Sequence, residues 1–147
     1  FILQEALAIK DESLCNDLGV SVQSPSELIN VLNNPTFSFI QMPFNILDYR
    51  WNEAILKVLE TKQKRRLVVH ARSSLLQGLI CSDDNLKWIK AGISNSEDII
   101  SWLNSAYQEH QKKSVSELCI CFVNSQPWID SVVVGVDTKD HLYKKNL

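Results

Sequence analysis

The sequence lacks a long apolar run, an excess of charge and cysteines with CxxC spacing, and each absence argues against a class of protein. The longest apolar runs, such as residues 132–136, are far shorter than the roughly 20 residues that a membrane span needs. A formal net charge of -2 gives no general attraction to nucleic acid. The cysteines have no CxxC spacing, so we expect free thiols and no metal site at Cys15, Cys81, Cys119 or Cys121.

The chain does contain enough apolar residues for one core. It has 147 residues, of which 45% are hydrophobic, and this is typical of a single soluble domain. The start, Phe1 to Gln4, does not resemble a secretory leader, so we expect a cytoplasmic protein without a membrane partner. The basic cluster at residues 62–66 fits either a nucleic-acid patch or a helix end whose dipole stabilises cations, and we favour the helix end.

Helix and strand patterns alternate along the chain, which predicts an α/β fold with parallel strands. Strands are expected at about residues 19–22, 37–44, 66–71 and 129–134. Helices are expected at about residues 3–14, 51–59 and 84–90. Further helices are expected after the capping boxes that begin at Ser24, Ser94 and Ser114, and after Thr138. The apolar strands suit either a doubly wound sheet or a closed barrel, and periodicity does not separate the two.

Three segments resemble one family in the same order. Residues 18–25, 66–80 and 131–138 are similar to the fifth, seventh and eighth strands of aldo/keto reductases, with the loops that follow them. The resemblance implies a TIM (β/α)8-barrel family, with residues 1–147 forming one partial domain. This would be the carboxyl-terminal half, with four parallel strands and covering helices. Because a half barrel exposes two sheet edges, we expect a missing half or a homodimer that covers them.

In TIM barrels, ligands bind at the carboxyl ends of the strands, where Ser21 and Gln41 are expected. Ser21 precedes Val22 where the family often has Ser-Asn, and Gln41 lies in a segment similar to Gln-x-x-Tyr-Asn. The resemblance implies that both contact the carboxamide of a nicotinamide cofactor. The alternatives are a Ser21 hydroxyl bonded to nearby backbone and a Gln41 hydrogen bond within the core.

The loop after the third predicted strand is similar to the family's phosphate-binding loop. Arg72 stands where an aromatic residue is usual, so it would stack on the nicotinamide or pair with a phosphate. Ser73, Leu75 through its backbone, Gln77 and Gly78 would line the pyrophosphate. The alternative is an ordinary strand-to-helix loop.

The last segment is similar to the family's motif around the adenosine end of the cofactor. The residues that it would contribute are Gly135, Val136, Asp137, Thr138, His141 and Lys145. A carboxylate at Asp137 would disfavour a 2'-phosphate and favour NAD, whereas nearby basic side chains would favour NADP. We expect NADP, with NAD as the alternative.

The resemblance implies an NAD(P)-dependent oxidoreductase that reduces carbonyls to alcohols, with a small carbonyl substrate. The family's catalytic tyrosine, lysine, aspartate and histidine come from strands two to four or the loops after them, which have no match here. We therefore assign no catalytic residue and expect the chain to be inactive alone. His70, in the middle of a strand, is interpreted as a core or barrel-lining histidine. The alternative function is a non-catalytic nucleotide-binding or protein-interaction module built on a half barrel.

Overall fold

The computed structural model describes residues 2–136, 138 and 139. They form an α/β fold with four strands and six α-helices, in the following order: α1 (Ile2–Asp11), β1 (Leu18–Ser21), α2 (Pro25–Leu32), β2 (Phe37–Pro43), α3 (Asn52–Lys64), β3 (Val68–Arg72), α4 (Asn85–Lys90), α5 (Ser96–Glu109), α6 (Val115–Asn124) and β4 (Ser131–Val132). Short 3-10 turns lie at Tyr49–Trp51 and Leu76–Cys81. The predicted α/β class is confirmed.

The strands form one parallel sheet in the order β1-β2-β3-β4. Each strand therefore lies beside the one that follows it in the sequence. A doubly wound sheet instead reverses its strand order at a switch point. The sheet is consistent with half of a closed barrel, in which consecutive strands are neighbours.

Two of the three predicted capping boxes form. The Ser24 side chain accepts a hydrogen bond from the Glu27 amide at the start of α2, and Ser114 accepts one from the Glu117 amide at the start of α6. Each glutamate accepts in return from the amide of the residue before the serine, at 2.7 Å and 2.6 Å. These local contacts satisfy amides that have no partner inside the helix.

The third predicted box, at Ser94, is wrong. Asn95 is the N-cap of α5 and makes no side-chain cap hydrogen bond. The Glu97 carboxylate instead accepts from the Asn85 side chain at 3.0 Å, and Ser96 contacts the same asparagine at 3.3 Å. A contact with α4 therefore replaces the local cap.

The fourth strand is shorter than predicted. The sequence predicted a strand over 129–134, whereas β4 contains two residues. The flanking amides still pair with β3, because Asp130 donates to the Val69 carbonyl at 2.9 Å and Val133 donates to the Ala71 carbonyl at 2.7 Å. The predicted helix after Thr138 falls almost entirely outside the described residues.

The main core covers one face of the sheet. Side chains of the covered face (Val20, Ile40, Met42, Val69, Ala71 and Val132) pack with residues of α2, α3 and α6. Leu28, Val58 and Val123 represent the three helices in this cluster, and each is fully buried. Burial of apolar surface against the helices is the main contribution that stabilises the sheet.

A second, smaller core joins α4, α5 and α6. It contains Ile80, Trp88, Leu103 and Cys119, with partly buried neighbours from the loop after β3. Burial raises the pKa of the Cys119 thiol to about 12. Because the thiolate is the reactive form, Cys119 is a packing residue of this core. Cys121 is only partly buried, and the described residues contain no cluster of side chains suited to a metal ion. Among the same residues, no helix has the length and apolar character of a membrane span.

Candidate functional site at the carboxyl end of the sheet

The second face of the sheet is not covered by either core. The strand register places Gly19, Ser21, Phe39, Gln41, Pro43, Val68, His70, Arg72 and Ser131 on this side, which we call the open face. Paired residues of neighbouring parallel strands point to the same side of a sheet. One row of pairs across the open face is entirely polar, and it consists of Ser21, Gln41, His70 and Ser131.

Three members of this polar row line an open depression of about 290 Å³. Its lining is Gly19, Val20, Ser21, Phe39, Ile40, Gln41 and His70. The structure thus brings Ser21 and Gln41 together, as the sequence predicted. Within the described residues, neither the Ser21 hydroxyl nor the Gln41 carboxamide makes a hydrogen bond, so neither structural alternative for these side chains is seen there.

A tight contact between Gly19 and Phe39 shapes the floor of the depression. A Cβ atom placed on Gly19 would lie 2.9 Å from the Phe39 Cβ atom, closer than real Cβ contacts allow. The Phe39 ring meets the His70 imidazole edge-on, with centroids 5.6 Å apart, and the Arg66 guanidinium lies 5.7 Å from the same ring. Phe39 therefore contacts both the His70 imidazole and the Arg66 side chain.

Arg72 crosses the carboxyl end of the sheet. Its guanidinium donates to the Val22 carbonyl at 3.3 Å and to the Ser73 hydroxyl at 3.4 Å, so the side chain reaches from β3 to the end of β1. Both hydrogen bonds are long and have neutral acceptors. Arg72 forms no ion pair with any described residue, whereas Arg50 and Arg66 each pair with an aspartate. Its positive charge is therefore available to an anion.

The loop after β3 follows Arg72 directly. Ser73, Gln77 and Gly78 have positive φ angles of 62°, 54° and 90°. Gln77 and Gly78 are exposed, whereas Leu75 packs against the second core. The Gly78 amide donates to the Leu75 carbonyl at 2.8 Å, so a phosphate at this loop would need other donors. The positive φ of Gly78 favours glycine at that position.

The predicted adenosine-binding segment is described only in part. Gly135, Val136 and Thr138 follow β4 and are exposed. Asp137, His141 and Lys145 lie outside the described residues, so their predicted roles stay predictions. The predicted preference for NADP over NAD rests on this segment, so it also stays a prediction.

Sequence reasoning did not assign His70 to the site. The structure places its imidazole beside Gln41 on the open face, within the depression. His70 is therefore not part of either buried core, and its barrel-lining role stays a prediction. A sequence signal existed: His70 precedes Arg72 by two positions, and side chains two apart on a strand share a face.

At the amino end of the sheet, the charged side chains form hydrogen bonds within the protein. Asp17 accepts hydrogen bonds from Ser38 and Arg66, each at 2.7 Å, and these bonds lower the pKa of its carboxyl. Arg65 donates to the Phe37 carbonyl at 2.7 Å. These pairings agree with a structural role for the basic cluster.

Asp130 completes this end of the sheet. It accepts from the Lys62 ammonium at 2.5 Å and from the Val69 amide at 2.6 Å. Burial raises the pKa of the Asp130 carboxyl, but the two hydrogen bonds and the charges of Lys62 and His70 together outweigh burial, so the pKa lies below its ordinary value of 3.8. Asp130 therefore joins β4 to both β3 and α3.

The turn after β2 is held by its own side chains. Asn45 is 3% exposed, and its side-chain oxygen accepts from the Leu47 amide at 3.0 Å. Asn45 therefore stabilises the turn that follows β2. The arrangement fixes the chain directly after the strand that carries Gln41.

Comparison with known proteins gives no assignment. No family model matches the chain, and a search of curated proteins finds no match.

Proposed function

We propose that this chain is the carboxyl-terminal, cofactor-binding part of a TIM barrel of the aldo/keto reductase type, an NAD(P)-dependent oxidoreductase that reduces small carbonyl compounds. The observation that carries the proposal is the pairing of Ser21 with Gln41 on the open face, where both line one depression. Hydroxyl and amide groups without partners in the described residues are suited to a carboxamide, which presents a donor and an acceptor together.

Arg72 supports the same proposal from the edge of the sheet. A dinucleotide carries phosphates beside its nicotinamide riboside, and the Arg72 guanidinium lies within hydrogen-bond reach of the end of β1. A planar guanidinium with five N–H donors is well suited to phosphate oxygens. The carboxamide contacts and the phosphate contact would thus come from neighbouring strand ends.

The strand order supports the barrel in this proposal. Four parallel strands in sequential order have the same winding as four consecutive strands of a (β/α)8 barrel. In such a barrel the covered face lies against the outer helices and the open face lines the interior. The polar row would then lie inside the barrel, close to the ligand-binding end.

No residue of the chain is assigned a catalytic role. Of the described tyrosines, Tyr49 is on an exposed 3-10 turn and Tyr107 is on α5, and neither lines the depression. We expect the chain alone to bind the cofactor without reducing aldehydes. Cofactor absorbance, followed with a panel of aldehydes, should show no turnover.

Calorimetric titration with NADP and NAD tests the binding. Gln41→Leu should weaken NADP binding about tenfold, because one or two hydrogen bonds to the carboxamide are lost. The matched control is Gln63→Leu, a change of the same kind at an exposed position on α3. Equal affinities of the two variants, or no binding of either nucleotide to the unaltered chain, would refute the proposal.

A further inference from the structure

We infer that His70 is a further ligand-binding residue of this site and contacts the nicotinamide mononucleotide portion of the dinucleotide. The inference rests on the proposed function and adds a specific contact to it. The juxtaposition that carries it is the register pair of Gln41 and His70, whose side chains line the same depression.

The spacing of the row fits a ligand larger than a carboxamide alone. Neighbouring strands lie about 4.8 Å apart, so the row from Ser21 through Gln41 to His70 spans about 10 Å. A carboxamide bound by Ser21 and Gln41 occupies roughly half of that length. His70 therefore lies where the rest of the nicotinamide ring or its ribose begins.

The chemistry of His70 suits this contact. A neutral imidazole has one donor and one acceptor nitrogen, so it can bind a ribose hydroxyl or a ring substituent. Within the described residues, the His70 imidazole contacts the Phe39 ring and makes no hydrogen bond. This edge-on contact leaves the imidazole nitrogens without hydrogen-bond partners among the described residues. The Asp130 carboxylate interacts electrostatically with His70 but is already bonded to Lys62 and Val69.

Nuclear magnetic resonance of the unaltered chain tests the contact without a substitution. The ring resonances of His70, assigned by their loss in His70→Asn, should shift when nicotinamide mononucleotide or NADP is added. Adenosine 2',5'-bisphosphate, which lacks the nicotinamide portion, should leave them unchanged. The exposed His110, at the end of α5, provides an internal reference that should not respond to any of the three.

Substitution gives a second, independent measurement. His70→Leu should weaken binding of nicotinamide mononucleotide about tenfold, which is about 1.4 kcal/mol. His70→Asn should retain part of the affinity, because its amide still offers a donor and an acceptor. The matched control, His110→Leu, should bind as the unaltered chain does.

The outcomes separate this inference from the proposed function. If NADP binds but the His70 resonances stay fixed, or if His70→Leu binds within twofold of the unaltered chain, the inference is overturned and the proposed function stands. A His70 response to adenosine 2',5'-bisphosphate alone also overturns it. If neither NADP nor NAD binds, both the proposed function and the inference are overturned.

Discussion

The two ends of the sheet differ in how their polar side chains are used. At the amino end, Asp17 and Asp130 each accept two short hydrogen bonds, from side chains or a backbone amide of neighbouring elements. At the carboxyl end, Ser21 and Gln41 have no hydrogen-bond partner among the described residues, and Arg72 makes only long bonds to neutral oxygens. Paired groups stabilise a fold, whereas accessible polar groups without partners are available for a ligand. The amino end therefore stabilises the sheet, whereas the carboxyl end is suited to binding a ligand.

The largest expected effect comes from removing a paired carboxylate at the amino end. Asp130→Ala leaves the Val69 amide and the Lys62 ammonium without their acceptor. We expect the free energy of unfolding to fall by about 2 kcal/mol, although partial exposure of Asp130 allows water to replace some of the loss. Urea denaturation measures the change. Asp11→Ala, at an exposed carboxylate in the last turn of α1, should change stability by less than about 0.5 kcal/mol. Equal effects of the two substitutions would show that Asp130 does not have this structural role.

Two arginine substitutions test the roles of the two ends of the sheet separately. Arg72→Met should weaken NADP binding about tenfold, because a charge-assisted hydrogen bond to phosphate is lost, while the urea midpoint stays nearly unchanged. Arg66→Met should lower the urea midpoint, because Arg66 pairs with Asp17, and leave NADP affinity unchanged. Calorimetry measures the NADP affinity of each variant, and urea denaturation measures its midpoint. The comparison fails if Arg66→Met is the variant that loses affinity.

Gly19→Ala tests the floor of the depression. The new Cβ atom would lie 2.9 Å from the Phe39 Cβ atom, so Phe39 must move. We expect stability to fall by about 1 kcal/mol, as for other cases of overpacking, and NADP affinity to fall severalfold because the depression changes shape. Urea denaturation and calorimetry again provide the measurement. Unchanged stability together with unchanged affinity would show that Phe39 does not shape the site.

The smallest expected effect is a loss of stability in acid, to which carboxyls at the amino end and on α3 contribute. Hydrogen bonds from Lys64 and Lys57 lower the pKa of Glu60 from 4.5 to about 2, and the pKa values of Asp17 and Asp130 are also lowered. A carboxyl whose pKa is lower in the folded chain stabilises the fold above its ordinary pKa. That stability is lost as the pH falls from about 4.5 toward 2.

Urea midpoints between pH 6 and pH 3 measure this acid effect. Asp130→Asn should show a shallower decline than the unaltered chain, because it removes one of the carboxyls with a lowered pKa. Gln41→Leu should decline in parallel with the unaltered chain, since it removes no titrating group. A decline that Asp130→Asn leaves unchanged would show that the amino-end carboxyl does not contribute.

Much of the fold could be predicted because its determinants are local. Ser24 and Ser114 bond to amides three residues away, so the sequence alone locates the starts of α2 and α6. The failure at Ser94 has a non-local cause, since Asn85 of α4 binds the Glu97 side chain that the capping box would have used. The strand order could not be obtained from periodicity, because it depends on which strands pair.

The candidate site could likewise be predicted only where a local sequence pattern indicated it. Ser21 and Gln41 were predicted because each lies where an apolar strand becomes polar. The position of His70 beside Gln41 depends on the register between β2 and β3, which no local pattern encodes. The reach of Arg72 to the Val22 carbonyl is likewise a contact over 50 positions in the chain.

Backbone amide shifts on adding NADP provide the most direct test of the central claim. We predict changes at Ser21, Gln41 and Ser73, at the carboxyl end of the sheet, and no change at Asp17 or Arg66, at the amino end. Changes confined to the amino end, or no changes at saturating NADP, would contradict the proposal that the carboxyl end binds a nicotinamide dinucleotide.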